Sequence, residues 1–373
     1  MKKTIWSKDI EDKIYKFVKD CYGCKSCMRN CVMLNDFCSS PKKLFEDFLE
    51  KGEINSIIPY SCNMCKQCTL VCPKKLKIDE IFMDMRKELV IENKGKSPIK
   101  GHKAVDIHQK LSYTNIFKGQ FRKTRVAFMP GCSLSSYNPQ IVEKTKDFLS
   151  QHIKDIGIIL NCCGKPTEAI GKQEKFKEKY KILETDIKNV DEIITACSSC
   201  YSILLKHSKN IKVRSLWEVI PKIGIPEELK NVGKESEILF GIQDACTTRD
   251  SFNIHEGIRW ILKELGYKFY EPIHTKENTM CCGMGGMVFP ANKNIAQKVI
   301  KRRAMEFKSD YVVTYCASCR QAMELGDKKS LHILDLIFGK SFNCDIDFKQ
   351  KQLTIIKSWV NRYKTKKACE NYK

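Results

Sequence analysis

The sequence contains no run approaching about 18 apolar residues, so no segment is predicted to cross a membrane as a helix. Its N-terminus, MKKTIWSKDIEDK, starts basic but has no apolar stretch behind it, which speaks against a secretory signal. No dinucleotide fingerprint is present, so any nicotinamide or flavin chemistry would belong to a partner. Acidic residues are in deficit, 44 Asp+Glu against 66 Lys+Arg, for a formal charge of +22. Apolar residues are not scarce: at 42% they exclude a disordered chain, and 373 residues suggest two or three domains. The abundant residue is cysteine, with 21 copies. A chain this long does not fit a small disulfide scaffold, so the expectation is reduced, metal-held thiols in a cytoplasmic setting.

Spacing sorts the cysteines. Cys21, Cys24, Cys27 and Cys31 read C-x2-C-x2-C-x3-C, and Cys62, Cys65, Cys68 and Cys72 repeat it ahead of Pro73. This spacing wraps a cubane iron–sulfur cluster, with the fourth thiolate of each run reaching the other cluster. One cluster is then expected on Cys21, Cys24, Cys27 and Cys72, the other on Cys62, Cys65, Cys68 and Cys31. Structural zinc is the competing reading, but zinc pairs two distant C-x2-C knuckles and has no use for three consecutive triplets.

Ten further cysteines also repeat. Cys132 is followed by Cys162-Cys163-Gly164 and then Cys197 and Cys200; Cys246 is followed by Cys281-Cys282-Gly283 and then Cys316 and Cys319. From the paired cysteines onward the copies are offset by 119 residues, and VDEIITACSSCYSILL at 190–205 mirrors SDYVVTYCASCRQAME at 309–324. SLWEVI at 215–220 and HILDLI at 332–337 close the copies. The unit of about 115 residues is an internal duplication. Adjacent cysteines suit neither one zinc nor a mutual disulfide, and five per unit exceed the needs of a cubane. Cys38, Cys344 and Cys369 remain without a pattern, Cys38 expected as a small buried residue and Cys369 as an idle one in a basic tail.

Helices are predicted at 8–20, with Ser7 as N-cap and Ile10, Ile14, Phe17 and Val18 on one face. A second opens at Ser40–Pro41, carries Leu44, Phe45, Phe48 and Leu49, and ends at Gly52. A third, 78–91, carries Ile81, Phe82, Met85 and Leu89. Residues 1–91 thus read as a helical ferredoxin domain and 92–123 as a basic, irregular linker. Residues 124–233 and 234–348 follow as two α/β domains in which strands at 126–129, 156–160, 193–195, 238–242 and 311–314 alternate with helices, the pattern of a parallel sheet. Sites in such sheets form beyond the carboxyl ends of the strands, where the cysteines fall. The glycines after the paired cysteines, Gly164, Gly283, Gly285 and Gly286, read as positions of close backbone approach or sharp turning. Residues 349–373 form a basic tail. In it Leu353, Ile356, Trp359 and Val360 predict an amphipathic helix, packed on the second α/β domain or lying on the inner face of a membrane.

Tetrads at 21–31 and 62–72 followed by two Cys-Cys-Gly units resemble the heterodisulfide reductase-like iron–sulfur oxidoreductases. These are related to the iron–sulfur subunits of glycolate oxidase, lactate utilisation and anaerobic glycerol-3-phosphate dehydrogenase. The resemblance covers roughly residues 15 to 340. It implies a helical module with two [4Fe-4S] clusters followed by two Rossmann-like cysteine-rich repeats. It further implies a non-cubane [4Fe-4S] cluster on Cys132, Cys162, Cys163, Cys197 and Cys200, and a second on Cys246, Cys281, Cys282, Cys316 and Cys319. The function implied is electron flow from a partner subunit, such as a flavoprotein, through the cubanes to a disulfide or thiol substrate. The alternative is an electron-transfer subunit of a flavin-dependent 2-hydroxy-acid or glycerol-3-phosphate dehydrogenase. Proton donors are not identified by the sequence; Asp244, Arg249, His255 and Lys165 flank the Cys-Cys-Gly sites. Eighteen thiolates offset by four dicationic clusters would remove about ten units of the positive charge. The lysines lack interleaved aromatics that would mark a nucleic-acid site, and an acidic redox partner or an anionic substrate explains the excess as well.

Overall fold

The computed structural model describes residues 6–122, 124–339 and 353–372; Cys344 lies outside them. Helices α1 (Lys8–Asp20), α2 (Val32–Phe37), α3 (Pro41–Lys51), α4 (Ile57–Tyr60), α5 (Gln67–Val71), α6 (Ile78–Glu92) and α7 (His102–Ser112) come first. Then follow β1 (Gln120–Phe121), β2 (Val126–Met129), α8 (Cys132–Tyr137), α9 (Pro139–His152), β3 (Gly157–Ile159), α10 (Lys165–Ala169), α11 (Gln173–Asp186), β4 (Glu192–Thr195), α12 (Ser198–His207), β5 (Lys212–Ser215) and α13 (Leu216–Ile223). The second copy supplies β6 (Leu239–Gln243), α14 (Phe252–Glu264), β7 (Lys268–Tyr270), α15 (Val288–Ala291), α16 (Lys293–Met305), β8 (Tyr311–Thr314), α17 (Ala317–Leu325), β9 (Lys329–His332) and α18 (Ile333–Phe338). Helix α19 (Ile355–Cys369) ends the described chain.

The chain divides into two compact units. The first gathers Met1–His108 with Pro166–Lys177 and Met280–Arg303, so short pieces of both repeats join the N-terminal helices. Its core follows the predicted stripes. Ser7 caps α1, Ser40 caps α3, and Gly52 ends α3 at φ 66°. Ile10, Ile14 and Phe17 of α1 meet Phe45 and Phe48 of α3 and Phe82, Met85 and Leu89 of α6, with Val288, Ile295 and Ala296 in the same cluster. Leu49, by contrast, is exposed.

The second unit holds both sheets. One has the order β1-β3-β2-β4-β5 and the other β7-β6-β8-β9, so without β1 the two copies share one topology. All pairings are parallel except β1 with β3. Both copies close on a capped helix: Ser215 with Glu218 at α13, and His332 with Asp335 at α18, each form a capping box.

Three expectations need correction. The stretch 92–123 is not irregular: it forms α7 and the edge strand β1, and it buries His102, Gln109 and Ser112. Polar residues argue for a linker only if they stay wet, and these are hydrogen-bonded inside. The predicted tail helix exists, but its buried face is Asn361, Arg362, Thr365 and Cys369, while Ile356 and Val360 are exposed. It packs on the first repeat and on the 92–123 stretch: Asn361 donates to Ser136 O at 2.8 Å and Tyr137 O at 3.2 Å, Thr365 to Ser135 O at 3.0 Å, and Arg362 to Ser112 Oγ at 2.9 Å. Cys369 is accordingly buried. Cys38 is half-buried and ends α2, its thiol directed to Leu34 O at 3.2 Å.

Candidate iron–sulfur centres

In the first unit the two tetrad loops are wound alike. The residues two and four places after the leading cysteine are left-handed in both copies: Gly23 and Lys25 after Cys21, Met64 and Lys66 after Cys62. Three of these four are not glycine, so the turn is imposed by the loop as a whole. Cys21 ends α1, Cys31 opens α2 and Cys72 ends α5, which holds the loops on rigid elements.

The thiols fall into two groups. Burial and then Cys21, Cys72 and Cys24 push the Cys27 thiol up to about 12. Burial and then Cys65 push Cys31 up to about 11. Burial raises Cys62, with Cys65 and Cys31 adding to it, and Cys68 is raised by burial and then by Cys62, Cys65, Asp79 and Cys31. Cys21, Cys24, Cys27 and Cys72 line one cavity together with Cys68, whereas Cys31, Cys62, Cys65 and Cys68 line another with Cys281. Cys24 is exposed, and the Ser26 hydroxyl at 3.5 Å lowers its thiol.

Cys281 and Cys282 belong to this unit, and their loop rests on the second tetrad. Asn63 donates to Gly283 O at 3.1 Å and Gly285 O at 3.2 Å. A Cβ on Gly285 would lie 2.5 Å from Asn63 O, and one on Gly286 2.3 Å from Cys62 O. These glycines therefore admit the tetrad backbone itself.

In the second unit β2, β3 and β4 end side by side and deliver Cys132, the pair Cys162–Cys163, and Cys197 with Cys200. The Cys162 thiol is raised by its contact with Cys132 and by burial; that of Cys200 by Cys163 and Cys197, then by burial. Gly131, at φ 81°, is the floor: a Cβ there would lie 2.5 Å from Cys197 Cβ and 3.4 Å from Cys200 Sγ. Gly164 N–H donates to Cys162 Sγ at 3.4 Å, and Gly283 N–H to Cys281 Sγ at 3.3 Å, so both copies use the same contact. Thr195 Oγ1 accepts from Cys197 N–H at 3.2 Å and Thr314 Oγ1 from Cys316 N–H at 3.4 Å, a second matched pair. Cys246, Cys316 and Cys319 lie on this unit at the ends of β6 and β8, while Cys281 and Cys282 lie on the other.

Two residues at the first Cys-Cys site escape sequence reasoning. Gln109 of α7 donates to Cys162 Sγ at 3.5 Å, and Tyr113 OH donates to Cys162 O at 3.1 Å. Burial and the four thiols Cys162, Cys163, Cys132 and Cys200 all raise the Tyr113 phenol. No motif marks either residue; they come from the stretch read as a linker. The flanking acid–base candidates fare poorly. Asp244 is buried and paired with Arg259 at 2.7 Å through both oxygens. Burial alone would raise its carboxyl, but the guanidinium holds it below the ordinary value, so it has no proton to give at neutral pH. Burial lowers the His255 imidazole, and Arg249 is used on Glu277 O and on Thr279 O at 2.6 Å.

The residues fit iron–sulfur clusters. Burial makes the thiolates costly by themselves, and a cationic iron–sulfide core is what offsets thiolates held this close. Among the described residues no three Cys, His, Asp or Glu crowd a single ion-sized position. A four-iron cluster does not require that, since its thiolates bind different irons.

Comparison with known proteins defines the class. Residues 20–77 match the 4Fe-4S dicluster domain, and residues 126–204 and 240–324 match the cysteine-rich domain. The chain is an iron–sulfur electron-transfer protein with a dicluster domain followed by two cysteine-rich domains, an arrangement consistent with the heterodisulfide reductase-like family. Among particular relatives, it is 25% identical to an uncharacterized iron–sulfur protein of Methanococcus maripaludis, over 89% of this chain and 74% of the relative. It is 28% identical to another of Methanocaldococcus jannaschii, over 70% of this chain and 56% of the relative. It is 23% identical to a subunit of the CoM/CoB fumarate reductase of Methanothermobacter marburgensis, over 86% of this chain and 72% of that relative. Among the described residues no helix is long and apolar enough to cross a membrane.

Proposed function

We propose that the chain carries electrons from a redox partner subunit to a disulfide or thiol substrate. Cys21, Cys24, Cys27 and Cys72 hold one cubane [4Fe-4S] cluster, and Cys31, Cys62, Cys65 and Cys68 the other. Cys132, Cys162, Cys163, Cys197 and Cys200 hold one non-cubane [4Fe-4S] cluster, and Cys246, Cys281, Cys282, Cys316 and Cys319 its counterpart. The observation that carries this reading is the grouping of the first Cys-Cys set. Five thiols from three adjacent strand ends are linked neighbour to neighbour, with Cys197 and Cys200 packed over Gly131, one thiol more than a cubane takes. Bound there, the clusters supply one-electron steps and soft iron sites for thiolate sulfur.

The chain's own residues set the conditions. N–H donors from Gly164, Gly283 and Met64 to sulfur drain charge from the ligands, and Gln109 and Tyr113 shield Cys162 from water. Splitting a disulfide to two thiols takes two electrons and two protons. Asp244, held ionised by Arg259, has no proton to supply. Anaerobic reconstitution should give about 16 irons per chain, and paramagnetic resonance should show a signal that depends on added disulfide or thiol. Full iron with no such signal would refute the disulfide chemistry. It would leave the second reading, an electron-transfer subunit beside a flavin enzyme; the similarity to a fumarate reductase subunit supports a partner subunit under either reading.

A further inference from the structure

Arg86 is fully buried in the middle of α6. Its guanidinium donates to four carbonyls: Pro59 O at 2.9 Å, Cys62 O at 2.7 Å, Ala169 O at 2.6 Å and Gly286 O at 2.8 Å. It also lies over the Tyr60 ring, 5.2 Å from the centroid. No carboxylate is among these partners. An arginine guanidinium keeps its proton at neutral pH even when buried, so the side chain is a fixed cation held against the second tetrad. A buried cation without a counter-ion is costly, and carbonyl dipoles offset only part of that. The guanidinium holds the carbonyl of Cys62, one of the four thiols grouped around the second tetrad, and as a cluster ligand Cys62 would carry the missing negative charge.

We propose that Arg86 is the counter-charge of the second cubane and sets its reduction potential. This rests on the ligand assignment of Cys31, Cys62, Cys65 and Cys68 made above. A cluster with four thiolates is anionic and gains one further negative charge on reduction; one electron enters from the donor and no proton moves. A fixed guanidinium beside a ligand favours the reduced form more than the oxidised form, and the dry surroundings enlarge the effect. The same four bonds tie the tetrad loop to Ala169 and Gly286, each a few residues after a Cys-Cys-Gly. The electrostatics of the cubane and the placement of both loops thus share one side chain.

A purely structural tie and a counter-charge differ in their response to substitution. Arg86→Gln keeps donors but removes the charge; Arg86→Lys keeps the charge and loses most of the bonds. The whole protein is titrated anaerobically with paramagnetic detection, and iron release to a chelator is followed in parallel. In Arg86→Gln the equilibrium for reducing one of the two cubanes should fall at least tenfold, about 59 mV for one electron. The other cubane, none of whose ligands is among the hydrogen-bond partners of Arg86, should shift much less and serves as an internal control. In Arg86→Lys the shift should be less than half as large. If Arg86→Gln sheds iron instead, release at least tenfold faster than in Arg86→Lys carries the same conclusion. Gln and Lys variants that behave alike, both unchanged or both equally damaged, overturn the proposal. A wild type lacking two cubane signals would instead refute the ligand assignment beneath it.

Discussion

Gly131 offers a sharp test of the first cysteine-rich site. Its backbone, at φ 81° and ψ 154°, lies in a region open essentially to glycine alone, so Ala there costs about 1–3 kcal/mol in strain. The added Cβ would also sit 2.5 Å from Cys197 Cβ and 3.2 Å from its sulfur. Overpacking of that kind costs about 1–3 kcal/mol, for a total of roughly 2–6 kcal/mol against a typical domain stability of about 5–15 kcal/mol. The clash falls on the ligand set itself, so Gly131→Ala should lose about four irons and keep the rest. Gly224→Ala is the control: Gly224 has φ 86°, but nothing lies within 4 Å of where a Cβ would stand, so that variant should lose stability from strain alone and retain all its iron. Anaerobic urea unfolding with iron and sulfide analysis reads both effects. A Gly131→Ala protein with full iron and a stability within about 0.5 kcal/mol of wild type would refute the packing argument.

Three other outcomes are expected. Burial raises the Asp335 carboxyl from 3.8 to about 6 even though Tyr137 OH donates to it at 2.6 Å. The fold therefore favours its protonated form; that stability is complete below about pH 4 and is lost as the pH rises through about 6. Asp335→Asn should accordingly gain about 1–2 kcal/mol relative to wild type between about pH 5 and pH 7.5 in urea unfolding, and an unchanged gap would exclude the effect. Asn361→Ala removes two bonds to the end of α8 and should cost about 1–3 kcal/mol, read as a lower melting temperature; no change would mean α19 is a passenger. Lys25 and Lys74 flank the exposed Cys24, with Lys74 over the Tyr22 ring at 4.9 Å. Replacing both with Glu should slow reduction by an acidic flavodoxin several-fold at low salt, and rates that ignore both charge and salt would rule out electron entry there.

Sequence and structure agree most closely where the signal is local. A C-x2-C-x2-C-x3-C loop has few ways to wind, and both copies use the same left-handed positions. The helical stripes of α1, α3 and α6 were equally legible from their period. What failed was polarity as a guide to burial. Gln109, His102 and Ser112 looked like linker residues and are buried, and α19 turned its polar face inward because Ser135, Ser136 and Tyr137 present carbonyls there. Neither fact has a periodic signature, since both depend on which distant backbone groups need partners.

By itself, then, the sequence determined the inventory: two tetrads, a duplicated five-cysteine unit, and parallel α/β folding for the repeats. These follow from spacing and alternation, which are properties of neighbours along the chain. The tertiary structure alone decided that pieces of both repeats join the N-terminal helices, that Gln109 and Tyr113 close over Cys162, and that one buried guanidinium links Cys62, Ala169 and Gly286. Those contacts pair residues up to 200 positions apart, and buried donors and acceptors find such partners only once the chain has packed.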